Sequence, residues 1–132
     1  MSDSNYDKVK HLVEVEDDIL AVFTVALGRE NHMENLSIAK NAKITENFVN
    51  NIFAKLQGNF RNMKEGLERD NILGRLKWTI NETERIRTLI IYEKDRAVFV
   101  LIKSTTSLSD TVDNILGYYY ESEDPPKDLF RI

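Results

Sequence analysis

The sequence predicts an α+β fold, a five-stranded antiparallel sheet with helices on both faces in the order α-β-β-α-β-β-β-α. Three observations carry this. The run Ile19 to Leu27 is apolar on both alternating faces, as a central strand covered on both sides requires. Two β-branched and aromatic runs, Ile86 to Tyr92 and Ala97 to Lys103, are separated only by Glu93 to Arg96 and pair most simply as a hairpin. Between these regions lies one long segment, Thr45 to Glu68, whose apolar residues recur at helical spacing.

The elements follow in order. Tyr6, Val9, Leu12 and Val13 mark a short first helix, closed by Glu14, Glu16, Asp17 and Asp18, acidic residues that suit a helix C-terminus poorly. In the first strand Ile19, Ala21, Phe23, Val25 and Leu27 fall on one side and Leu20, Val22 and Ala26 on the other. Gly28 to Asn31 supplies turn chemistry, and a weaker strand through Leu36, Ile38 and Ala39 is its hairpin partner. Thr45 is a competent N-cap for the long helix. Leu76, Trp78 and Ile80 then alternate with Arg75, Lys77 and Thr79, a half-buried strand with a polar outer row and Trp78 in the core. Ser107 opens the last helix, Asp110 completes a variant capping box, and Leu108, Val112, Ile115, Leu116 and Tyr119 form the buried stripe. Leu129, Phe130 and Ile132 follow a Pro125-Pro126 break on an acidic tail, which either folds back over an apolar patch or serves as a docking peptide.

The long helix has two distinct faces. At about a hundred degrees per residue, Phe48, Val49, Ile52, Phe53, Leu56, Phe60, Met63 and Leu67 form one core-facing stripe. The opposite side holds Asn47, Asn50, Asn51, Ala54, Gly58, Arg61 and Asn62, small and amide-rich where a solvated face normally carries Lys and Glu. A glycine inside a helix costs roughly 0.5 to 1 kcal/mol, so Gly58 is either a tolerated exposed residue or a point of close approach by another backbone. We expect these seven residues to form a dimer interface, with amides and small side chains meeting their own copies across a two-fold axis.

Composition bounds the function. A chain of 132 residues with 42% hydrophobic and 30% charged residues supports one domain, 1–132, with a core over about 6–121 and a tail over 122–132. There is no cysteine, so disulfides and thiolate chemistry are excluded and a reducing, cytoplasmic setting is expected. The longest apolar run is nine residues, against roughly 20 for a membrane span. The net charge of −4 disfavours nucleic-acid binding. Residues 55–103 carry eleven basic and seven acidic residues, but the signs alternate and read as a mixed surface.

Catalytic chemistry is hard to find. His11 and His32 share no ligand spacing, and the acidic cluster lacks the spaced oxygens and glycine of a calcium loop. The five glycines stand singly, so no phosphate-cradling loop exists. Ser104, Thr105, Thr106, Ser107 and Ser109 cluster without an identifiable base. Tyr118 and Tyr120 flank the last helix's stripe, either lying over the helix end or forming a docking pair. We therefore expect no enzymatic activity, catalytic residue, cofactor or metal.

The strand ILAVFTVAL, the long helix, the segment RIRTLIIYEKDRAVFVLIK and the closing helix after SLSD resemble the roadblock domain of dynein light chains and its archaeal and bacterial relatives, which share a profilin-like fold. The resemblance covers about Val9 to Tyr120. It departs from the usual pattern where Asp17-Asp18 replaces a glycine before the first strand and Gly28-Arg29-Glu30-Asn31 replaces an Asp-Gly turn. It implies a homodimeric scaffold or regulator of small Ras-like GTPases or motor assemblies, with Arg75 and Lys77 on the partner surface. The alternative is a profilin-like small-molecule sensor, which requires a cavity between sheet and helix.

Overall fold

The computed structural model describes residues 8–27, 32–104 and 107–121. Helix α1 covers residues 8–11 and tightens into a 3-10 turn over Leu12–Glu14 before the acidic cluster. Strands β1 (Ile19–Ala26) and β2 (Met33–Ile38) are followed by helix α2 (Glu46–Glu68), strands β3 (Trp78–Glu82), β4 (Ile86–Tyr92) and β5 (Arg96–Lys103), and helix α3 (Leu108–Glu121). All pairings are antiparallel, in the order β2-β1-β5-β4-β3. The expected element order and sheet are thus present. Tyr6, the turn at Gly28 to Asn31, Thr105, Thr106 and the tail lie outside the described residues.

Strands β1, β5 and β4 make the interior of the sheet, and β1 and β5 are buried almost throughout because their runs are apolar on both faces. On one face α2 packs Val49, Phe53 and Phe60 against Ala21, Phe23, Phe99 and Tyr92. Four rings interlock there: Phe23 stacks on Phe99 at 4.9 Å, while Phe53 and Phe60 meet Phe99 edge-on at 6.0 and 5.2 Å. On the other face Val9 and Leu12 of α1 and Ile115 and Tyr119 of α3 cover Ile19, Val22, Leu89, Ile91, Val98 and Val100.

Ile19 departs from the expected alternation. Ile19 opposes Ile102 while Ala21 opposes Leu101, so β1 carries an extra residue there. That bulge turns Ile19 towards α1 and α3 and puts Leu20 with Ala21 under α2, because one inserted residue shifts everything before it by half a period.

The helix boundaries have identifiable causes. The Thr45 side chain accepts the Phe48 N–H at 3.1 Å, capping α2 as expected. Ile44 and Val49 join the same core, bracketing that cap with apolar contact. At α3 the Asp110 N–H reaches Ser107 Oγ at a long 3.5 Å, so this cap is weaker than the sequence suggests. Leu108, expected in the buried stripe, is exposed, whereas Val112, Ile115 and Tyr119 are buried.

The strand expected from Arg75 starts instead at Trp78. The Leu76 N–H is held by Glu68 Oε2 at 2.7 Å, and Lys64 donates to the other oxygen of that carboxylate at 2.6 Å. These donors, Lys64 first, hold the Glu68 carboxyl below its ordinary pKa. Residues 75–77 are therefore tied to the end of α2 rather than fully laddered to β4, although the Lys77 carbonyl still accepts the Tyr92 N–H at 2.8 Å.

Candidate interaction surface

Two layers of helix cover the sheet's faces, which leaves its edges and the outer side of α2 for external contact. Asn47, Asn50, Asn51, Ala54, Gly58, Arg61 and Asn62 are all exposed on that outer side. Among the described residues a Cβ built on Gly58 meets nothing within 4 Å, so no contact among them requires glycine there. Arg61 pairs with Glu65 at 3.7 Å, an exposed contact of little energetic weight.

The apolar stripe of α2 is only half absorbed by the sheet. Phe48, Met63 and Leu67 were expected in the core, yet all three are exposed. A straight helix of 23 residues extends to about 35 Å, longer than the strands beneath it, so its ends overhang the core. Beyond the overhang the connection to β3 turns through positive φ at Asn71 and Gly74. It presents Ile72, 82% exposed, and Leu73, 71% exposed. Sequence reasoning missed these two residues. Their signal was two large aliphatics in a connection with no periodic partner to bury them.

The sheet's two edges differ. At β2 the register slips between Val22 and Thr24, and Asn35 sits at φ 55° in the bulge. The Asn35 amide donates to Thr24 Oγ1 at 3.1 Å, and that hydroxyl donates to the Glu34 carbonyl at 3.3 Å, fixing the irregularity. At β3 the pairing with β4 is regular from Trp78 to Glu82, and among the described residues the other side of the strand has no strand neighbour. Trp78, assigned to the core by its alternation, is 40% exposed because β3 is the outermost strand.

Of the residues named as a partner surface, Arg75 and Lys77 are exposed, and the Lys77 ammonium stands 5.9 Å from the Tyr120 ring. Thr79 is half-buried opposite Ile90, on the α2 side. Tyr118 and Tyr120 pack partly against the α1/α3 core, so the rings lie over the helix end. At the far end of β3 the Arg87 guanidinium, almost fully buried, donates to both oxygens of Glu82 at 2.6 and 3.1 Å. Ser104 Oγ donates to the same carboxylate at 2.6 Å. These donors, Arg87 first, lower the Glu82 pKa and lock the end of the strand. Burial raises the Tyr92 pKa, and its hydroxyl donates to the Phe60 carbonyl at 3.3 Å, tying α2 to the sheet.

Little on this surface resembles a reaction centre. Among the described residues no group of three or more His, Asp or Glu is placed to hold a metal ion, and no helix is long and apolar enough to cross a membrane. A cavity of about 520 Å³ opens between α1 and the end of β2, lined by Lys10, Glu14, Leu20, Ile38 and Lys40 among others. Leu20 and Ile38 also belong to the α2-side core, so the cavity borders that layer at the sheet's edge, while directly beneath α2 four packed phenyl rings fill the space.

The helix-sheet-helix arrangement, with α2 alone on one face and α1 and α3 on the other, defines a roadblock-type fold. Comparison with known proteins agrees. MglC from Myxococcus xanthus superposes with a TM-score of 0.62 at 14% identity, over 92% of this chain and 96% of that one. MglB in a tetrameric arrangement gives 0.66 at 9% identity, over 90% and 85%. A Roadblock/LC7 domain from Streptomyces avermitilis gives 0.59 at 8%, over 86% and 90%. At such identities the likeness is one of fold. No family model and no curated protein matches the sequence.

Proposed function

We propose that this chain is a distant member of the roadblock group and acts as a non-enzymatic, homodimeric interaction module in the cytoplasm. In this reading it scaffolds or regulates a small Ras-like GTPase or a motor assembly. The observation that carries the proposal is the outer side of α2, where Gly58 and Ala54 lie among neutral amides and nothing among the described residues asks for a small residue. Exposed Met63 and Leu67, on the opposite stripe where α2 overhangs the sheet, and Ile72 and Leu73 beyond it add apolar surface, and among the described residues the outer edge of β3 has no strand partner. A second copy related by a two-fold axis supplies cover for both features at once. The tetrameric arrangement reported for MglB supports self-association as a habit of this fold. A protein partner then meets the composite surface, with Arg75 and Lys77 as steering charges at its rim. The filled space under α2 argues against the sensor alternative.

The test is sedimentation at micromolar concentration. Wild type should run as a dimer and Gly58→Glu as a folded species near the 15.3 kDa chain mass, because the substitution puts two carboxylates at the closest approach. A monomeric wild type removes the proposal.

A further inference from the structure

We propose that the C-terminal segment 122–132 docks on its own chain, over Trp78 on the face of the outermost strand. Trp78 opposes Ile91, and cross-strand neighbours point to one side of a sheet, so the indole projects towards the layer of α1 and α3. Ile80, two residues on, is packed against that layer, but the indole beyond it stays 40% exposed. Another strand added at the β3 edge lies in the plane of the sheet and provides neighbours beside the indole, not a layer above it.

One segment that starts close to this gap is the stretch that follows α3. The Tyr120 ring stands 5.9 Å from the Lys77 ammonium, so the last turn of α3 reaches the start of β3. Eleven residues extend to roughly 35 Å, ample for a return across one strand. The chemistry matches on both counts. Leu129, Phe130 and Ile132 offer apolar cover for an indole, and Glu123, Asp124 and Asp128 offer acidic partners to the exposed Arg75 and Lys77. Pro125-Pro126 breaks any continuation of the helix and lets the chain change direction. This inference is independent of self-association.

The chain holds one tryptophan and no cysteine, which makes the test direct. In the full chain, Arg131→Cys labelled with bimane should show emission quenched by contact with Trp78 and restored by Trp78→Phe, with no change on dilution or on mixing with excess unlabelled chain. Independently, Leu129→Asp with Phe130→Asp should shift Trp78 emission to the red and raise its quenching by acrylamide, while circular dichroism stays unchanged. Three results overturn the proposal. One is bimane emission indifferent to Trp78, and another is Trp78 emission indifferent to the double substitution. The third is quenching lost on mixing with unlabelled chain, which assigns the cover to a second copy.

Discussion

Gly58→Ala separates a free helix face from a covered one, because its effects on the protomer and on assembly have opposite signs. Within the protomer the new methyl meets nothing within 4 Å, so no clash opposes the gain in helix propensity. Alanine is better than glycine by about 0.8 to 1 kcal/mol in a helix interior, partly through the lost freedom of the unfolded chain. With a urea slope of about 1 to 3 kcal/mol per molar, the midpoint at dissociating dilution should rise by roughly 0.3 to 1 M. Across a close two-fold contact the same methyl appears twice where backbones meet, and overpacking of this kind costs about 1 to 3 kcal/mol. The dimer dissociation constant should then rise roughly five- to 150-fold. The assays are urea unfolding at a dilute and a concentrated protein level, together with sedimentation velocity over the same range. A variant that is stabilised at both levels and associates as well as wild type would show that α2 does not meet its copy at Gly58.

Phe53→Ala should lower stability by about 3 to 5 kcal/mol in urea unfolding with an unchanged slope, since Phe53 contacts both Phe23 and Phe99; a loss under 1 kcal/mol refutes the four-ring core. Glu82 and Glu68 have folded-state pKa values below the ordinary 4.5, so their contribution is present above that pH and is lost as pH falls through the lower, folded values. Unfolding midpoints should accordingly drop below about pH 4.5, less steeply in Glu82→Gln, and an identical acid profile for that variant contradicts the assignment. Purified protein should bind no stoichiometric metal and hydrolyse no nucleotide; one ion per chain by metal analysis refutes this. Reversing Arg75 and Lys77 to Glu should slow association with a protein partner without changing the melting curve, and an unchanged association rate moves the partner surface elsewhere.

The sheet's centre was legible because β1 is apolar on both faces and β4 and β5 are dominated by β-branched and aromatic residues, and the cap at Thr45 fixed where α2 begins. Periodicity says which residues share a side but not whether anything covers that side. Trp78 alternates like a core residue and lies on an edge, and Met63 and Leu67 keep helical spacing beyond the end of the strands. The Ile19 bulge was hidden for a related reason: a run apolar on both faces reads the same in either register. At the candidate surface, the amide face of α2 could be read from composition. The bare β3 edge could not, since it depends on strand order, which pairs β1 with β5 across 70 or so intervening residues.

The Asn35 irregularity bears on how large an assembly can grow. A sheet with two straight, open edges can add copies at both ends without limit, the route to fibres. Here one end is kinked by a residue in left-handed geometry and pinned by the Asn35 and Thr24 side chains, while the other runs straight. A protomer with a single competent edge has a valence of one. Were two such edges to join, both would be used up, and growth through the sheet would stop at a pair with no template for a third chain.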